Sequence, residues 1–171
     1  MKILVGGIGN IFFGDDAFGI EVVRRLSDCG VSANVCVKDF GIRGFDLASA
    51  LCEEWDLVIL VDSMSRGGEP GVLYVIEPDL SEGSKDAGAT MDPHGLNPMY
   101  AIDLAKTMGT ISARVMLVGC EPDTFESEGE VFALSAAVAA GVETAVEAIR
   151  RILDEIQESQ QCVASSSGGS R

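Results

Sequence analysis

The stretch MKILVGGIGNIFFGDDAFGI, residues 1–20, decides the fold. A short apolar strand at residues 3–5 runs into a glycine-rich turn, which is followed by the adjacent acids Asp15 and Asp16 and then by an amphipathic helical pattern. A strand, a tight turn and a helix in this order are typical of α/β proteins with a parallel sheet. The two acids are unusual for a phosphate-binding turn, and they indicate a cation or a metal-bearing partner.

Segments of strand type alternate with helical patterns along the rest of the chain. The linker between residues 63 and 72 is too short for a helical crossover, so the strand after it is predicted to run antiparallel to its predecessor. Polar residues 81–90 are predicted to form a loop. The further predicted strands lie at residues 35–37, 56–63, 72–78 and 113–122, and the further predicted helices at residues 45–53, 96–108 and 131–156.

These elements predict a single three-layer α/β domain over residues 1–158. Its sheet is mostly parallel and twisted, with about five strands and helices on both faces. Residues 159–171 are polar and rich in serine, and they are predicted to form a disordered tail.

Composition excludes several classes of function. The 171 residues suit one domain, and 12 basic against 27 acidic residues give a net charge of −15. This charge argues against nucleic-acid binding and against anionic membrane surfaces. The sequence shows neither a membrane-spanning apolar run nor signal-peptide features, so we expect a cytoplasmic protein, and we expect a monomer.

The five cysteines show no CxxC spacing, and we expect them to be reduced. Cys36 and Cys120 lie in strand-like runs and are predicted to be buried, small apolar residues.

Three polar side chains are predicted to meet at the carboxyl edge of the sheet, where α/β proteins bind ligands. They are Asp16, Asp62 and His94. Each alone has an ordinary explanation: Asp16, like its neighbour Asp15, complements a helix N-terminus, Asp62 caps a turn through Ser63, and His94 is a solvated loop residue. Together, two carboxylates and one imidazole suit a borderline metal with open coordination positions.

A nucleotide-binding site is the competing interpretation. The fingerprint G-x-G-x-x-G requires glycine where this chain has Phe12, and two carboxylates at the helix start would repel phosphates. Asp39 ends the second strand, where a ribose-binding acid would stand, and this favours a nucleotide. G-x-S-x-G, Walker and H-E-x-x-H motifs do not occur in the sequence.

At these residues the chain resembles the [NiFe]-hydrogenase maturation endopeptidases. The matching segments follow one another in order over about residues 2–155 and thus cover nearly the whole domain. They are GIGNIFFGDDAFGIEVV (7–23), DFGIRGFDLA (39–48), DLVILVDS (56–63), DPHGLNP (92–98) and LVGCEPD (117–123).

The resemblance implies an endopeptidase that removes the C-terminal extension of a hydrogenase large-subunit precursor after nickel insertion. By this resemblance Asp16, Asp62 and His94 are the catalytic and metal-contacting residues, and the nickel is supplied by the substrate, without a nucleotide. The family often has glutamate where Asp16 stands, and glycine where Ala17 stands. The substrate-recognition loop implied by the family comprises Gly41, Ile42, Arg43 and Gly44.

The chemistry stays open at this point. Nickel could polarise the scissile carbonyl or a water, or one of the two aspartates could act as general base while the metal serves only for recognition. A nucleotide-binding module of Rossmann type and a non-catalytic nickel or hydrogenase chaperone are the alternative functions.

Overall fold

A five-stranded sheet with the order β2-β1-β3-β5-β4 forms the centre of the protein. The computed structural model describes residues 1–80, 97–126 and 133–166, with side chains up to residue 158. β1 pairs in parallel with β2 and β3, β3 pairs in parallel with β5, and β4 runs antiparallel to β5. The strands are β1 (Ile3–Ile8), β2 (Val35–Gly41), β3 (Leu57–Ser63), β4 (Leu73–Ile76) and β5 (Arg114–Cys120).

Helices cover both faces of the sheet, as the hydrophobic patterns predict. Helices α1 and α4 pack together on one face, and α2 and α3 pack together on the other. β1 and β3 contribute alternate side chains to the two cores, which is why these strands read as continuous apolar runs. The helices are α1 (Phe18–Cys29), α2 (Gly44–Leu51), α3 (Pro98–Met108) and α4 (Ala136–Ser166).

The structure confirms the predicted mostly parallel α/β domain and the antiparallel fourth strand. Helix α4 differs from the prediction at both ends. It begins at Ala136 rather than near residue 131, because the Ser135 hydroxyl accepts the Val138 N–H at 3.4 Å as an N-cap does.

Helix α4 also continues to Ser166, so residues 159–166, which we assigned to a disordered tail, are helical. Their glutamine- and alanine-containing sequence has no glycine or proline that would end the helix earlier. Residues 167–171 and the predicted loop at 81–90 lie outside the described part of the chain, and the domain boundary at residue 158 stays a prediction.

The prediction for the cysteines is correct for Cys120 and wrong for Cys36. Cys120 is buried, whereas Cys36 is exposed. The physical reason is the position of β2, which is an edge strand and is covered less completely than β1 and β3. Within the described ranges, no helix combines the length and the apolar character that crossing a membrane requires.

Helix α1 packs unusually closely on the sheet because Gly19 has no side chain. A Cβ atom at Gly19 would overlap the carbonyl oxygens of Ile8 and Val61, which belong to β1 and β3. This close approach fixes where α1 begins relative to the ends of the two strands. Asp15 and Asp16 lie in the single 3-10 turn, Gly14–Ala17, that leads into α1.

We expect Gly19→Ala to lower the free energy of unfolding by roughly 1–3 kcal/mol, the usual cost of overpacking a filled interior. Urea denaturation monitored by circular dichroism measures this change. Arg24→Ala, on the exposed side of the same helix, is the matched control and should change stability by less than about 0.5 kcal/mol. Equal stability of the Gly19→Ala and wild-type proteins would contradict this account of the packing.

Candidate functional site

The carboxyl edge of the parallel strands carries every buried charged side chain that the structure describes. The carboxylates lie just beyond β1, at the end of β3 and just beyond β5. Burying a carboxylate is costly unless polar groups stabilise its charge, so each one needs a physical explanation. The four are Asp15 (0% exposed), Asp16 (5%), Asp62 (7%) and Glu121 (5%).

Ser63 contacts both Asp16 and Asp62. Its hydroxyl donates to Oδ1 of Asp16 at 3.2 Å, and its backbone N–H donates to Oδ1 of Asp62 at 2.9 Å. The second contact is the Asp62–Ser63 turn contact that we considered as the ordinary explanation for Asp62. Asp16 therefore lies beside the end of β3, the strand that carries Asp62, although the two acids are 46 positions apart in the sequence.

The turn between β1 and α1 places Asp16 at this edge. Gly9 has a φ of 135°, and a Cβ atom there would overlap the carbonyl oxygen of Asp16, so only glycine fits. The Asp16 N–H donates to the Phe13 carbonyl at 2.9 Å within the same turn. The glycine that looked like part of a dinucleotide fingerprint thus allows the backbone to fold back on Asp16.

Asp15 has a structural role that the sequence did not indicate. Its carboxylate accepts the backbone N–H groups of Asp123 at 2.8 Å, Thr124 at 3.1 Å and Ser135 at 2.6 Å. We interpreted Asp15 as a charge at a helix start, but it is fully buried and holds the segment after β5 and the start of α4. The two adjacent acids therefore have different surroundings.

Glu121 similarly holds the loop after β3. Its carboxylate accepts the N–H groups of Arg66 at 2.8 Å and Gly67 at 3.0 Å, and the Tyr74 hydroxyl at 2.8 Å. Burial raises the pKa of the Glu121 carboxyl, but these hydrogen bonds, together with one from Gly68, outweigh that effect and lower its pKa overall. The hydrogen bond that the Tyr74 hydroxyl donates to Glu121 raises the pKa of that hydroxyl. Sequence analysis did not identify Glu121, although an acid directly after a buried strand is the signal that identified Asp62.

Cys120 is adjacent to these acids but is not suited to nucleophilic chemistry. Burial, followed by the charges of Asp15 and Glu121, raises the pKa of its thiol to about 12. A protonated, buried thiol packs as a small apolar side chain, as predicted.

His94, the third predicted site residue, lies outside the described part of the chain. In residues 1–80, 97–126 and 133–166 there is no group of three or more His, Cys, Asp or Glu side chains suited to holding a metal ion. The structure therefore places two of the three predicted residues at the same edge of the sheet, and their joint role as well as the position of the third stay predictions.

The chain matches one protein family over most of its length. The family model described as hydrogenase maturation protease matches residues 20–152. The chain belongs to the hydrogenase maturation proteases. This confirms the resemblance that the glycine-rich turn and the paired acids suggested.

Relatives and solved structures of hydrogenase maturation proteases agree with this assignment. The hydrogenase expression/formation protein HupD of Rhizobium leguminosarum is 34% identical over 153 residues, which cover 87% of this chain and 74% of that protein. The hydrogenase maturating endopeptidase HybD of Escherichia coli has 25% identity and a TM-score of 0.74, covering 91% of this chain and 93% of that one. The [NiFe] hydrogenase maturation protease HycI of Thermococcus kodakarensis has 29% identity and a TM-score of 0.68, with 90% and 92% covered.

The contacts of Glu121 predict how stability depends on pH. A carboxyl whose pKa is lower in the folded state stabilises the fold fully above its unfolded-state pKa of about 4.3, and this contribution disappears as the pH falls through the folded-state pKa. We therefore expect Glu121→Gln to lower the melting temperature at pH 7, and the difference from wild type to shrink below about pH 4.

Thermal unfolding between pH 7 and pH 3 measures this effect. Glu54→Gln, which removes an exposed carboxylate, corrects for the general loss of one negative charge. A Glu121→Gln difference that stays constant over the whole range would contradict the role assigned to this carboxylate.

Proposed function

We propose that this protein is an endopeptidase that removes the C-terminal extension of a [NiFe]-hydrogenase large-subunit precursor after nickel insertion. In this proposal, Asp16, Asp62 and His94 contact nickel that the precursor already holds, so the metal belongs to the substrate. Membership of the hydrogenase maturation protease family supports peptidase activity in hydrogenase maturation.

The observation that carries the proposal is that Asp16 and Asp62 are both buried at the carboxyl edge of the sheet and both contact Ser63. Both side chains are more than nine-tenths buried, and Ser63 contacts one oxygen of each. Carboxylates buried at one edge of the sheet carry charges that are costly to bury, and a bound cation would offset that cost. Carboxylate oxygens are suitable ligands for a divalent metal, and nickel tolerates a mixed oxygen and nitrogen ligand set.

Chain geometry supports the inclusion of His94. Residues 109–113 join the end of α3 to the start of β5, so the N-terminus of α3 points towards the carboxyl edge of the parallel strands. Asn97 caps that N-terminus by accepting the Met99 N–H at 2.8 Å. His94 precedes Asn97 by three residues, which span at most about 11 Å, and a neutral imidazole is the commonest nitrogen ligand for such metals.

The same groups could assist hydrolysis of the peptide bond in two ways. A carboxylate beside the scissile carbonyl can accept a proton from the attacking water, whereas a metal contact can polarise that carbonyl. In both cases Ser63 would hold Asp16 and Asp62 in place. Cys120 would not take part, because its raised pKa keeps the thiol protonated.

We further propose that residues 41–44 contact the precursor. Gly41 is the last residue of β2, and its carbonyl accepts the Gly9 N–H at 3.1 Å, so this segment adjoins the turn that places Asp16. Ile42 is 61% exposed, and Arg43 is about half exposed beside Asp46. A loop with these side chains, next to the site and open to solvent, is suited to selecting a protein partner.

Substitution of the three residues tests the proposal. Asp16→Asn, Asp62→Asn and His94→Ala should each reduce trimming of nickel-loaded precursor by at least about 100-fold, since acid–base and electrostatic groups commonly contribute that much. Asp16→Glu keeps the carboxylate, and we expect it to retain measurable activity. Mass spectrometry of the precursor detects the loss of the extension.

Asp28→Asn, which removes an exposed carboxylate near the end of α1, is the control for a general change in charge. Circular dichroism and urea denaturation establish that each variant is folded. Normal trimming by all three site variants would refute the proposal, and precursor that is bound but never shortened by the wild-type protein would favour a chaperone.

A further inference from the structure

Two neighbouring segments at the carboxyl edge expose large apolar side chains. One is the turn after β1 and the other joins β2 to the first turn of α2. Together they carry five of the ten large apolar side chains that are exposed in the described part of the chain. We call these five the edge surface: Ile11 (44% exposed), Phe12 (59%), Phe13 (37%), Ile42 (61%) and Phe45 (66%).

The edge surface is continuous with the candidate site. The Gly9 N–H donates to the Gly41 carbonyl at 3.1 Å and thereby joins the two segments. The Phe13 carbonyl accepts the Asp16 N–H at 2.9 Å, so the apolar turn and the reactive carboxylate belong to the same piece of backbone. A protein that presents a peptide bond to Asp16 would therefore approach close to this surface.

The charge of the edge surface differs from that of the whole chain. The chain has a net charge of −15, yet residues 9–13 carry no charged side chain. In the second segment, the Arg43 guanidinium donates to the Asp39 carbonyl and pairs with Asp46 at 3.3 Å. A partner held here would be held by apolar contact rather than by attraction to acidic groups, and exposed aromatic clusters of this kind commonly mark protein interfaces.

We propose that the edge surface docks an apolar face of the folded large-subunit precursor. This rests on the proposed function, and it assigns to the surface the binding of the precursor body, separately from the contact of its nickel with Asp16 and Asp62. The binding would depend little on salt, because screening weakens charge pairs but not apolar contacts.

The test measures the dissociation constant for nickel-loaded precursor by calorimetry, with Asp16→Asn present throughout so that the precursor is not cut. Adding Ile11→Asp or Phe45→Asp should weaken binding about tenfold or more, as loss of an interface anchor does. Phe45 lies in the first turn of α2, where an aspartate favours the helix, so this variant should stay folded. Val75→Asp is the matched control, since Val75 is 50% exposed on the edge strand β4.

Several results would overturn the docking proposal. They are no binding of the precursor, equal binding by the edge-surface variants, equal weakening by Val75→Asp, or a strong loss of affinity with added salt. Light scattering that shows a dimer dissociated by Phe45→Asp would assign the surface to a second copy of this chain instead. Failure of the Asp16-intact protein to trim the precursor would refute the proposed function alone, because the binding measurement does not depend on cleavage.

Discussion

Burial of carboxylates at one edge of the sheet is the constraint on which the rest of the structure depends. Backbone N–H groups from segments distant in sequence offset the free-energy cost of burying Asp15 and Glu121. These two carboxylates therefore hold the loops around the site in place. Asp16 and Asp62 both contact Ser63, and we propose that the substrate approaches these two carboxylates. In this proposal, buried carboxylates both hold the loops around the site and form its reactive part.

The fold could be predicted largely from the sequence because its elements are marked by local patterns. Buried parallel strands give unbroken apolar runs, and the short linker before β4 requires an antiparallel strand. The exposure of Cys36 could not be predicted in this way, since it depends on which strand forms the edge of the sheet. The extension of α4 to Ser166 was missed because polar composition was taken as a sign of disorder, although no glycine or proline interrupts the helix before Ser166 in residues 159–166.

The site was only partly predictable, because local sequence patterns do not show which distant residues a side chain contacts. Asp16 comes after β1 and Asp62 lies at the end of β3, and the carboxyl ends of parallel strands meet at the same edge of a sheet. Asp15 could not be distinguished from Asp16 by pattern, because its partner Ser135 is 120 positions away. The structure therefore reassigns Asp15 from a charge at a helix start to a buried anchor. The tight turn that resembled a phosphate-binding loop instead presents a carboxylate and, beside it, an apolar surface.

The measurement that tests this account most directly compares trimming of nickel-loaded and nickel-free precursor by the wild-type protein, followed by mass spectrometry. If Asp16 and Asp62 form a site for substrate-bound nickel, the loaded precursor should lose its extension at least about 100-fold faster, the size expected for one strong electrostatic contact. Equal rates for the two precursors would contradict the account, because the paired carboxylates would then have no cation to recognise.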